Sequence, residues 1–160
     1  MDDVKRKQEY LAFTLAGEKY CVGVDRVREV LEYTKITKLP NTRDYMKGLI
    51  NLRGAGIPVM DLRRKFGMDE VENTRDTSII VMELRSGEHG TLLGALADSV
   101  QEVIELSPDE MEPAPRFGAK ISNEYITGIG KRGGQFLILL DVEKIFGAEE
   151  APGGLQPYPS

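Results

Sequence analysis

Residue types that ordinarily carry out chemistry are scarce in this chain and poorly placed for it. There is one histidine, His89, and one cysteine, Cys21. With one of each, no zinc set can be assembled without carboxylates. His89 falls in the polar run Ser86-Gly87-Glu88-His89-Gly90, which reads as a solvated turn. Cys21 lies in the strand-like run Tyr20-Cys21-Val22-Gly23-Val24 and reads as a small packed residue. Being alone, it forms no intramolecular disulfide, and it fits a reducing compartment. Asp61 and Asp141 are the one candidate pair of acids, but each opens a short apolar run and suits a helix N-cap. Gly54-Ala55-Gly56 and Gly133-Gly134 lack the strand–GxGxxG–helix order of a nucleotide loop. The chain therefore reads as non-catalytic, with no metal or cofactor expected. What remains is charge in an apolar setting. Glu29 is flanked by Val27, Val30 and Leu31, and Arg53 stands between Leu52 and Gly54 at a hairpin shoulder. An exposed surface salt bridge and a charge pair ringed by aliphatics at a protein–protein contact are both compatible with that setting.

The element that must position Arg53 is the stretch from Gly48 to Gly67. It reads as a strand, a glycine-rich turn, a second strand and a short helix. Gly54 and Gly56 supply positive φ, Pro58 requires an edge or a bulge, Asp61 caps Leu62–Phe66, and Gly67 stops it. Eighty positions on, the layout returns: Gly48, Gly54, Asp61, Phe66 and Gly67 fall on Gly128, Gly134, Asp141, Phe146 and Gly147. An earlier block, Val24 to Leu31, returns as Ala97 to Ile104 with its Asp, Val, Glu and Val in step. Two blocks recurring in the same order argue for two similar subdomains.

The rest of the chain supports short strands. Leu11, Phe13 and Leu15 alternate onto one face, and a turn at Ala16–Lys19 returns the chain as Tyr20–Val24. Val27 to Leu31 reads as one turn running into an extended piece, and Asn41–Tyr45 as a cap with a brief helical turn. Residues 68–77 are a polar connector. Ser78–Leu84 is nearly all apolar, as for a strand buried on both faces. Strands follow at 91–97 and 100–106, where Val100, Ile104 and Leu106 are expected on one face with the pleat interrupted near Val103. Residues 107–118 carry three prolines and form an irregular loop, before strands at 121–129 and 136–140. The ends, 1–9 and 148–160, are expected to be flexible. The folded part, 10–147, divides into two subdomains of roughly 10–67 and 77–147. The fold class is all-β with short helices, arranged as two small barrels.

Bulk properties narrow the function further. A net charge of −5 over 160 residues and the absence of tryptophan leave no footprint for nucleic acid. No apolar run approaches the ~20 residues of a membrane span, and the charged start is no signal peptide. A cytoplasmic, soluble protein is expected.

Phe13-Thr14-Leu15, Val27-Arg28-Glu29-Val30, Ile36 to Pro40, Gly48 to Leu62 with Asn51-Leu52-Arg53-Gly54, and Leu139 to Lys144 together resemble the chemotaxis coupling family CheW. The resemblance runs from about Tyr10 to Gly147. It implies two interleaved five-stranded SH3-like barrels sharing a hydrophobic core, with room for strands to be exchanged at the ends of the two subdomains. It also implies a scaffold, monomeric when isolated, that links chemoreceptor tips to the regulatory domain of the histidine kinase CheA in membrane-associated arrays. On these grounds Glu29, Val30, Gly48, Asn51, Arg53 and Gly54 are the kinase-binding candidates. Val27, Val30 and Val100 come from the repeated block and are candidates for a receptor groove between the barrels, with plain core packing as the other reading. Glu112 and Phe117, on the proline-stiffened loop, are candidates for an array-assembly contact. Gly56 departs from the family pattern, which carries an aliphatic residue there.

Overall fold

Alternating apolar residues punctuated by two-residue turns give a chain of short strands in a computed structural model that describes residues 7–85, 90–114 and 123–146. In order these are β1 (Gln8–Leu15), β2 (Glu18–Gly23), β3 (Val27–Glu32), β4 (Met46–Leu52), β5 (Ala55–Asp61), the one-turn helix α1 (Leu62–Lys65), β6 (Ser78–Leu84), β7 (Thr91–Ala97), β8 (Ser99–Leu106), β9 (Met111–Glu112), β10 (Ile126–Arg132), β11 (Gln135–Leu140) and α2 (Val142–Phe146). One sheet has the order β8-β1-β2-β11-β10-β9, and the other β3-β6-β7-β5-β4.

The internal repeat is visible in those two orders. Each sheet takes a hairpin from one side of the 68–77 connector and three principal strands from the other. β1–β2 joins β8, β10 and β11, while β6–β7 joins β3, β4 and β5. The matching parallel contacts, β5 with β7 and β11 with β2, occupy equivalent places. Even the irregularities repeat. The β4–β5 register shifts between Met46 and Gly48, and the β10–β11 register shifts eighty residues later, between Ile126 and Gly128. The amides of Asp61 and Asp141 donate to the equivalent carbonyls of Tyr45 and Tyr125, at 2.7 and 2.8 Å.

Period-two alternation sends alternate side chains into different cores. Along β6, Ile79 and Val81 enter a cluster inside the five-stranded sheet, while Ile80, Met82 and Leu84 enter a core shared between the sheets. β1 does the same, with Ala12 on the inside of the six-stranded sheet and Leu11, Phe13 and Leu15 in the shared core. The shared core also takes Phe66 from the end of α1 and Ile145 and Phe146 from α2, all essentially buried. α1 is capped as expected, the Asp61 carboxylate accepting from the Arg63 amide at 3.0 Å, and Gly67 follows at φ 80°. Pro58 is accommodated because β7 pairs with β5 only over Val59–Asp61, which leaves that side of the strand open at the proline.

Several local expectations need correction. Gly56 does not take positive φ; the loop between the paired residues Leu52 and Ala55 is Arg53-Gly54, at φ 51° and 92°. β1 starts at Gln8, pairing with Leu106, so the flexible segment expected over 1–9 does not extend that far. Asn41–Tyr45 forms turns, with Asn41 at φ 56°, and no helix. Within the proline-rich loop, a capping box at Ser107 and Glu110 leads into β9, which pairs with β10. Finally, a bulge between Val100 and Val103 does interrupt β8. Its effect is to put Val100 against the shared core, while Ile104 and Leu106 line the interior of the other cluster, so the three do not share a face.

Candidate functional site

The β4–β5 loop is a two-residue hairpin turn whose geometry requires positive φ at both central positions. Eighty residues on, the equivalent loop between Arg132 and Gln135 meets this requirement with Gly133 and Gly134. Here an arginine occupies the first position, in a region that costs a non-glycine residue on the order of 1 kcal/mol. The turn is held by Asn51, whose Oδ1 accepts from the Gly54 amide at 2.8 Å. The Arg53 Nη2 donates to Glu29 Oε2 at 2.5 Å, joining the loop to β3 at the opposite edge of the five-stranded sheet. The Arg53 side chain is 72% exposed and that of Glu29 29%. The hydrogen bond to Glu29 and the charge of its carboxylate push the guanidinium pKa further up, so Arg53 stays cationic. An exposed cation on a stiff turn, anchored by a half-buried carboxylate, can recognise a protein surface.

Gly48 belongs to this region in a different sense. It is buried, with φ 144°, and a Cβ there would land on the Thr37 carbonyl oxygen. Thr37 and Leu49 exchange backbone hydrogen bonds, each 2.8 Å, across that close approach. Gly48 therefore presents no surface to a partner, contrary to its place among the contact candidates; it positions β4. Asn51 and Gly54 are exposed, beside Arg53.

The valines of the repeated block occupy the two edge strands β3 and β8 in equivalent ways. A bulge in β3 sets Val27 and Val30 opposite Met82 and Ile80, and the bulge in β8 sets Val100 and Val103 opposite Phe13 and Leu11. All four facing residues belong to the shared core. Val27 and Val100 pack against that core, whereas Val30 and Val103 are 41% and 54% exposed. Core packing thus accounts for the inner valines and leaves the outer ones available. Val103 is not among the sequence candidates, although the spacing that relates Val27 to Val100 also relates Val30 to Val103.

The remaining candidates separate from this surface. Glu112 lies on β9 at the far edge of the six-stranded sheet and pairs with Lys131 at 3.5 Å. Phe117 and His89 lie outside the described residues. Among the described residues no group of histidine, cysteine and carboxylate side chains could hold a metal. Cys21 is fully buried, and burial pushes its thiol up to about 12, so it carries no thiolate at neutral pH. Asp61 and Asp141 are each used as caps, Asp141 accepting from the Lys144 amide at 3.1 Å.

A family model described as "CheW-like domain" matches residues 9–150, nearly all of the folded chain. The chain belongs to the CheW-like family. It is 38% identical over 143 residues to chemotaxis protein CheW of Klebsiella aerogenes, covering 89% of this chain and 84% of that protein. It is 30% identical to chemotaxis protein CheW of Bacillus subtilis, covering 93% of each. Among solved structures, the scaffolding protein TtCheW from Thermoanaerobacter tengcongensis superposes with a TM-score of 0.80 at 31% identity, covering 91% of this chain and 96% of that one. The CheW-like fold is two SH3-like units, and the expected all-β chain with short helices is what the two sheets form. CheW-like proteins are non-catalytic adaptors in chemotaxis.

Proposed function

We propose that this chain is the coupler between chemoreceptors and a CheA-type histidine kinase, with the two partners using different surfaces. The kinase's regulatory domain docks on the Arg53 hairpin, against Glu29, Asn51 and Gly54. The receptor's helical cytoplasmic tip lies along the valines of β3 and β8, its apolar face reading Val30 and Val103 over the inner pair Val27 and Val100. Glu112 and Phe117 serve a further contact between assembled complexes. The protein works in the cytoplasm and is recruited to receptor arrays; no helix among the described residues is long and apolar enough to cross a membrane.

The observation that carries this reading is Arg53. A strained backbone position, filled by glycine in the equivalent hairpin, holds a charged side chain 72% exposed. The exposed ion pair with Glu29 stabilises too little to account for that choice, and recognition of a partner accounts for it. The test is a pair of variants in one binding experiment with the kinase and the cytoplasmic tip of a receptor from the same organism. Arg53→Ala should weaken kinase binding about tenfold or more and leave the receptor complex intact, and Val30→Asp should do the reverse. Loss of both complexes in a variant that retains its fold, or of neither, would remove the two-surface assignment.

A further inference from the structure

The Arg53 hairpin stands beside a shallow depression lined by Thr37, Leu49, Asn51, Ala55 and Gly56. The fold does not require this depression to be empty. Gly56 lies outside the left-handed region, and a Cβ there would meet only Leu49 Cδ1, at 3.6 Å, an ordinary contact. The internal repeat shows the size of what is missing. The position equivalent to Gly56, eighty residues on, is Phe136, which projects its ring at 65% exposure. One hairpin carries a knob where the other carries bare backbone.

The rim indicates the chemistry of what fills it. The cations close in sequence to the lining residues Thr37 and Gly54 are Lys35, Lys38 and Arg53, in a chain whose net charge is −5. Lys35 and Lys38 flank Thr37, are exposed, and form no ion pair among the described residues. Arg53 gives Nη2 to Glu29 while its side chain stays largely exposed.

We propose that Gly56 is a specificity-determining hole that takes one large apolar side chain, of leucine to phenylalanine size, from an acidic face of the kinase's regulatory domain. This contact rests on the kinase reading given above and names what that surface must present. An apolar knob seated in a pocket with a charged rim is the usual anatomy of an interface hot spot. A carboxylate beside the knob meets the unused fork of Arg53, which suits bidentate pairing. Partners with a small or basic residue at that point are rejected by the unfilled hole or by like charge.

The experiment titrates the purified full-length kinase of the same organism with the parent chain, Gly56→Ala, Gly56→Leu and Leu49→Ala by calorimetry, at low and moderate salt. Gly56→Ala should bind within about threefold of the parent, and Gly56→Leu, which fills the hole, should lose about tenfold to a hundredfold. Parent affinity should fall as salt rises. Receptor-tip binding should be the same for all four proteins. A folded Gly56→Leu that binds the kinase like the parent overturns the contact while leaving the kinase reading in place. If that variant does not fold, Leu49→Ala decides: a loss of about fivefold supports the contact, and parent-like affinity overturns it. A parent chain that does not bind the kinase overturns both.

Discussion

Arg53 gathers several opposing effects in one side chain. Its backbone is strained, its charge is satisfied on one side by Glu29, and its remaining donors are in water. Replacing it with glycine removes both the strain and the ion pair, whereas alanine removes the ion pair and keeps the strain. Arg53→Gly is therefore expected to match or exceed the parent in thermal stability, and Arg53→Ala to fall below Arg53→Gly by about 1 kcal/mol in denaturant unfolding. Both should lose the kinase. A glycine variant less stable than the parent would show that the ion pair, and not the turn, governs stability here, and one less stable than the alanine variant would show that the turn is not strained. The sequence marks Arg53 as a charge out of place but points to Gly54 and Gly56 for the positive φ. Glycine permits that conformation without demanding it, so the two-residue loop can be located only from the strand register. A second contrast concerns Asp98 and Asp61. Burial alone would raise the Asp98 carboxyl, but the bidentate Arg63 guanidinium and the Ala16 amide hold it below the usual 3.8. A depressed carboxyl contributes stability above its unfolded value, and that contribution is lost as pH falls through the folded one. Asp98→Asn should therefore be destabilised near pH 7, by about 1 kcal/mol once solvent screening is allowed for, with the deficit closing below about pH 4. At Asp61 the sign reverses, because burial raises its carboxyl despite the Arg63 amide. There the ionised form costs stability above the raised value. Asp61→Asn keeps a cap acceptor and removes the buried charge, so it should gain stability at pH 7 and lose that advantage in acid. Urea unfolding of both variants from pH 3 to 8 measures the two opposite slopes.

At the scale of elements, hairpins and bulges decide what each strand presents. Without the shift between Val27 and Glu29, and its counterpart between Val100 and Val103, the valines of β3 and β8 would not stand in pairs over the shared core. A bulge leaves little trace in sequence, since it is one residue in an otherwise alternating run. That is why Ile104 and Leu106 read as sharing a face with Val100, whereas Val103 is legible only through the repeat, as the counterpart of Val30. β9 is hidden for a different reason: two residues carry no period, and only β10 defines them as a strand. Gly48 and Gly56 provide an element-level test of which glycines the fold needs. Both lie in the same hairpin, but one faces the Thr37 carbonyl and the other faces open space beside Leu49. Gly48→Ala should cost about 2–4 kcal/mol by displacing the Thr37–Leu49 bridge, while Gly56→Ala should lie within about 0.5 kcal/mol of the parent. Equal costs in equilibrium denaturation would mean that the close approach relaxes when a methyl group enters it.

For the whole molecule, the exchange of hairpins is the governing fact, and it is only partly legible. The repeat at eighty residues can be read directly, because glycine and aspartate positions at turns and caps recur. Which strands pair cannot, because an apolar face is equally satisfied by a partner from either half. The outcome is that neither half of the chain completes a sheet, and both sheets close on one core fed by α1 and α2. Such a body should transmit the position of one partner to the other as a rigid spacer, since no seam runs between independent units. It should also unfold as one unit. Phe66 and Phe146 test this, being equivalent in the repeat, almost fully buried and both in the shared core. Either replaced by alanine should cost about 3–5 kcal/mol. In calorimetry each variant should still give a single transition, shifted down, with calorimetric and van't Hoff enthalpies equal. If Phe66→Ala lowered one transition and left a second at the parent temperature, the sheets would be separate folding units and the shared core only a contact between them. With one transition in both variants, damage beside either helix reaches the Arg53 hairpin and the valine strands together, and the two partner surfaces stand or fall as one.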